Sequence, residues 1–139
     1  MKRFIVFPLV LVLLLSGCPK GAQGLATASD TIAHALGDAQ QAILLACQAN
    51  QIDAPTCTTL ENDLVKVATA GKTLDAEIRA NQSTAGLAPT VNAFLDAFNQ
   101  LNNQDLLAIK NPNTKVAIST ILVGAEAALS VVAAAAGGK

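Results

Sequence analysis

The sequence predicts an all-α protein, a small up-down four-helix bundle made of two helical hairpins, and three observations predict it. Apolar residues recur at steps of four and three in four separate stretches, the spacing of a helix stripe that faces a core. No window alternates with period two for long, so strands are not expected. Short segments containing Pro, Gly, Asn and Ser separate the stretches, and short connections make antiparallel neighbours.

The first stripe is Ile32, Leu36, Ala39, Ile43 and Ala46. The second, Leu60, Leu64, Val67, Gly71, Leu74 and Ile78, follows Thr58 and Glu61, which have the spacing of a capping box. On the same helix Asp75 and Arg79 are placed as an i, i+4 ion pair. Asn81 to Ala88 is a break. A third helix is expected from Pro89, where the ring suits a first turn, with Val91, Leu95, Phe98 and Leu101 facing inward. Phe94 and Phe98 share one face and are expected to pack in the core. Asn102 to Gln104 is polar and expected to fray, and Asn111-Pro112-Asn113 is a stop. Thr114 is the expected cap of the last helix, whose stripe is Ile118, Leu122, Ala125, Leu129, Val132 and Ala136. Ala39, Ala46, Gly71 and Ala125 let helix axes approach closely. They bury little apolar area, so at about 25 cal/mol per Å² the core is thin.

Ahead of the bundle, Lys2 and Arg3 open an almost unbroken apolar run from Phe4 to Leu15, the layout of a secretory signal. About 12 apolar residues are too few to span a bilayer, which needs roughly 20, so cleavage is expected. The run ends in Leu15-Ser16-Gly17-Cys18, which resembles the lipobox of bacterial lipoproteins. That resemblance covers residues 1–18 only. It implies cleavage before Cys18 and acylation of that residue, a membrane anchor of palmitate-like chains that does not span the bilayer. Several chains make such anchoring stable, each buried methylene contributing about 0.8 kcal/mol. Pro19, not the Asp that resembles an inner-membrane retention signal, comes next. A chain in the bacterial cell envelope, on the periplasmic side of the outer membrane where two membranes exist, is therefore expected. The organisation that follows is a cleaved signal over 1–17, a lipidated tether over 18–25, the helical domain over 26–136 and a loose tail over 137–139.

Cleavage leaves about 120 residues, the size of one small domain. Losing Lys2 and Arg3 lowers the basic count from 9 to 7 against 10 acids, a net charge of about −3. No basic face suits nucleic acid. Phe94 and Phe98 are the only aromatics left and neither Trp nor Tyr occurs, so platforms for stacking bases are absent. Cys47 ends one helical pattern and Cys57 begins the next, which places both sulfurs at one corner. An exported compartment permits a disulfide there, worth roughly 3 kcal/mol on the chain-entropy model. Nine residues intervene, against two in redox-active pairs.

Nothing points to catalysis, a metal or a cofactor. His34 is the single histidine and lies about 200° around the helix from Ile32, toward solvent. Asp75 and Glu77 diverge on a helix, Ser29 and Ser119 lack a base, and no HExxH, Cys/His cluster or Gly-rich phosphate loop occurs. The last helix differs from the others. Val116, Thr120, Val123, Ala127, Val131 and Ala134 lie opposite its core stripe, and Glu126 is the only charge between Val116 and Ala136. A helix apolar all round is buried or membrane-embedded. Its Ile, Leu and Val residues contribute about −4 kcal/mol to insertion, which Glu126 and the polar and small residues cancel. A central position, an interface and membrane insertion stay open as alternatives. Val116, Val123, Ala127 and Val131 are the candidate contact residues for a protein partner or a second copy.

The expected function is that of a non-enzymatic envelope lipoprotein, a structural or protein-interaction helical module. Its rivals are a periplasmic carrier of a small apolar ligand or lipid, and a membrane-active or phage-exclusion type of factor using the last helix.

Overall fold

A computed structural model describes residues 22–80, 84 and 86–137. The signal sequence, Cys18 with its expected lipid, and Gly138 and Lys139 lie outside the described residues. Four helices, and no strand among the described residues, make up the fold: α1 (Ala22–Gln48), α2 (Ala54–Ala80), α3 (Ala88–Gln100) and α4 (Pro112–Ala135). A π-helical turn (Leu101–Asp105) and a 3-10 turn (Leu106–Ala108) continue from α3 toward α4.

α1 begins inside the stretch expected as tether. The reason is its stripe, which continues backward from Ile32 through Ala28 to Leu25, both buried. Its far end is a Schellman closure: Asn50 adopts φ 55°, its N–H donates to the Cys47 carbonyl at 3.0 Å, and the Gln51 N–H donates to the Ala46 carbonyl at 2.9 Å. Asn tolerates the left-handed region that this closure requires. The chain then turns over buried Ile52 into α2.

The cap of α2 is Asp53, which corrects the expectation for Thr58 and Glu61. The Thr56 hydroxyl donates to the Asp53 carboxylate, and the Cys57 N–H donates to the Asp53 carbonyl at 2.9 Å. Thr58 already sits within the helix, its hydroxyl donating to the Ala54 carbonyl at 3.1 Å. Asp is at least as good a cap as Thr, and Pro55 fits the first turn that it opens.

In α3 the core position belongs to Phe94, fully buried beside Phe98, while Leu95 is half-buried at the margin. The polar Asn102–Gln104 stretch does not fray. The Leu106 N–H reaches back five residues to the Leu101 carbonyl, and that wider turn lets Leu101 and Leu106 both stay buried.

The cap of α4 is Asn111, not Thr114. Its side-chain oxygen accepts the N–H groups of Asn113 at 3.0 Å and Thr114 at 3.3 Å, with Pro112 in the first turn. Asn111-Pro112-Asn113 thus starts a helix as well as breaking the chain before it. Thr114 is buried, and its hydroxyl donates to Gln51 Oε1 at 2.8 Å.

These cross-links fix the up-down arrangement. Ser29 and Asp30 near the start of α1 meet Asp75 and Arg79 near the end of α2, and Gln51 after α1 meets the start of α4. α1 packs on both α2 and α4, and α3 packs chiefly on α2. The α1–α4 pairing is the most extensive. α1 contributes Ala28, Ala39 and Ala46 to the core and α4 contributes Ala125 and Ala128; such small side chains let axes come close. Gly71 serves the same end at the crossing of α1, α2 and α3: a Cβ there would lie 3.3 Å from Phe94 Cε2 and 3.7 Å from Leu36 Cδ1.

Candidate functional site

At the α1–α2 corner, Cys47 and Cys57 form the expected disulfide, with Cα atoms 6.0 Å apart. Cys57 is buried and Cys47 half-buried. The bridge closes the same corner that the Asn50 closure, the Asp53 cap and the Gln51–Thr114 hydrogen bond hold. Four local devices therefore converge on one end of the bundle.

A polar cluster occupies the opposite half. Asp75 accepts the Ser29 hydroxyl at 2.7 Å and Arg79 Nε at 2.9 Å, and Arg79 Nη2 donates to Asp30 at 2.8 Å. The Arg79 guanidinium, aided by the Ser29 hydroxyl, holds the Asp75 carboxyl below the usual carboxylate range. Asp75 and Asp30 in turn favour the charged guanidinium. Ser29 is buried and committed to a carboxylate, while His34 lies exposed on α1. The cluster thus joins two helices, and, against the expectation that Ser29 lacks a base, it sets the Asp75 carboxylate beside that hydroxyl, with Asp75 itself paired to Arg79. Among the described residues no group of three or more His, Cys, Asp or Glu side chains converges as metal ligands would.

Beside that cluster runs a groove between α1 and α2 of about 330 Å³. Ile32, Leu36 and Gly71 form its floor, and Asp30, Gln40, Lys72 and Asp75 its polar margins. It exists because Ala33, Gly37 and Ala68 carry little or no side chain along the seam.

α4 is not central. Val116 is 64% exposed and Val123 is 60% exposed; Ala127 is exposed and Val131 half-buried. The four residues do share the outer side of the helix. α4 is, by length and composition alone, apolar enough to cross a membrane, yet Ile118, Leu122, Leu129 and Val132 are buried within the bundle. Other large apolar side chains that sequence reasoning passed over also reach solvent: Leu44, Leu45, Val65 and Leu107. A signal for the first pair was present, since a helix that buries Ile43 must turn at least one of the next two residues outward.

The fold and its cross-links thus define a disulfide-closed, all-α four-helix bundle. The chain matches no protein-family model, no curated protein and no solved structure.

Proposed function

We propose that this chain is a non-enzymatic cell-envelope lipoprotein, acylated on Cys18 and working as a structural or protein-interaction module. The observation that carries the reading is the ending Leu15-Ser16-Gly17-Cys18 on a basic-then-apolar leader. A disulfide-closed domain supports it, because such bridges persist in oxidising compartments. The side chains offered to a partner are Val116, Val123 and Ala127 on the outer side of α4, with Val131 at its margin. Changing Cys18→Ser should abolish labelling by radioactive palmitate and release the chain from the membrane fraction. Undiminished labelling and retention in that variant would sink the anchor.

A second reading, a carrier of a small apolar ligand, draws on the groove over Gly71. Its volume of about 330 Å³ falls at the lower end of the range of small-molecule sites. Native mass spectrometry of the purified domain should then show a retained small-molecule mass, and Gly71→Leu should remove it. A bare domain would dismiss this carrier role.

A further inference from the structure

We propose that the bundle stands on the bilayer on the end where α1 begins and α4 finishes, with the Cys47–Cys57 corner pointing away from the lipid. This rests on the anchor at Cys18 proposed above. The tether is the first argument. Only Pro19, Lys20 and Gly21 separate Cys18 from the first residue of α1, and four residue steps reach at most about 14 Å. α1 has 27 residues, about 40 Å of helix. The start of α1 is therefore held at the surface, and the last turn of α4 lies beside it, because α4 is the antiparallel and most extensive neighbour of α1.

Charge decides between an upright bundle and one lying on its side. Every helix carries an exposed carboxylate along its length, Asp38 on α1, Glu61 on α2, Asp96 on α3 and Glu126 on α4, and only α2 also carries exposed lysines there, Lys66 and Lys72. Lying down presses such carboxylates against lipid phosphates, a like-charge contact. From Ala127 to Gly137, by contrast, no side chain ionises, and Lys20 before α1 and Lys139 after α4 are basic; the carboxylates of Asp30 and Asp75 near this end are both paired with Arg79, and Glu77 is half-buried. The outer side of α4, with Val116, Val123 and Ala127 exposed, is the one flank where apolar side chains gather, and Glu126 interrupts it; Leu45, Val65 and Leu107 stand on other elements. The acyl chains supply the attachment, and the end of the bundle needs only to meet headgroups without repulsion.

The absence of native tryptophan allows single reporters to test the orientation. Ala134→Trp, Val123→Trp and Val116→Trp change exposed positions along about 27 Å of α4. The full chain, matured in a bacterial host, is placed in phosphatidylcholine vesicles whose headgroups carry nitroxides, which quench indole only at short range. Emission should be quenched at position 134, less at 123 and not at 116. Equal quenching at all three positions means a bundle lying on α4 and overturns the proposal, as does strongest quenching at 116. Palmitate labelling of the same samples separates the two failures. A chain that takes up no palmitate and leaves the vesicles refutes the anchor and this orientation together; a labelled, bound chain without the gradient refutes the orientation alone.

Discussion

Gly71 shows how one missing side chain sets a three-helix crossing, and Gly37 is its natural control. A Cβ at Gly71 would press on the Phe94 ring and touch Leu36, whereas nothing lies within 4 Å of one at Gly37. Gly71→Leu should therefore destabilise the fold by about 1 to 3 kcal/mol through overpacking, while Gly37→Ala should stabilise it by up to about 1 kcal/mol through helix propensity alone. Denaturant titration of both variants checks the pair, and a stabilised Gly71→Leu would place that residue on the surface. Asp75 supplies a test of sign. Its carboxyl is held below the usual range by Arg79 and Ser29, so its contribution is full above the ordinary Asp range and lost as pH falls through the depressed value. Asp75→Asn keeps an acceptor for Ser29 but loses the charge. The stability gap between this variant and the parent should be widest near neutrality and close in acid, when unfolding midpoints are compared across pH; a gap independent of pH would mean that the Arg79 pairing contributes nothing. The gap should also narrow in high salt, because the side chains of Arg79 and Asp30 are more than half exposed.

The four helices were legible in the sequence because their apolar stripes follow from periodicity, which depends on no distant residue. Their ends were legible less often. Thr58 with Glu61 has the spacing of a cap, but Asp53 with Thr56 competes for the same helix five residues earlier, and only the path of the chain over Ile52 selects the winner. Thr114 similarly loses to Asn111, whose side chain reaches two amides while Thr114 turns inward to Gln51. The disulfide pairing was legible because two helix ends and a short connection leave the sulfurs little choice; the Gln51–Thr114 bond, between residues 63 apart, carried no local signal. At the candidate contact face, periodicity identified Val116 and Val123 as opposite the core stripe, but whether that side was covered by another helix depended on where α1 packs. The helix ends yield two predictions. Asn111→Ala should lose about 1 kcal/mol, the usual cost of a missing cap, whereas Thr58→Ala should change stability by a few tenths at most, as an ordinary exposed site does; equal losses would restore Thr58 as the cap. Reducing Cys47–Cys57 should lower stability by roughly 3 kcal/mol, read as a drop in Tm with helical circular dichroism retained at low temperature.

For the molecule as a whole, the outer side of α4 is free for change without harm to the core. Val116→Asp with Val123→Asp should leave a folded domain, since both positions are more than half exposed, and should abolish self-association or capture of a partner through that side. Circular dichroism and sedimentation velocity read the two effects separately, and a folded variant with undiminished association would show that the valines are bystanders. The pairing of the first helix with the last has a consequence of another kind, in the order of synthesis. A ribosome delivers α1 first and α4 last, yet each is the other's largest partner. Until Pro112 and the residues after it have emerged, α1 lacks its most extensive partner and has α2 as its main neighbour. Folding is thereby deferred to the end of the chain, and a product truncated before α4 presents an uncovered apolar stripe by which chaperones and proteases can distinguish it from the finished protein.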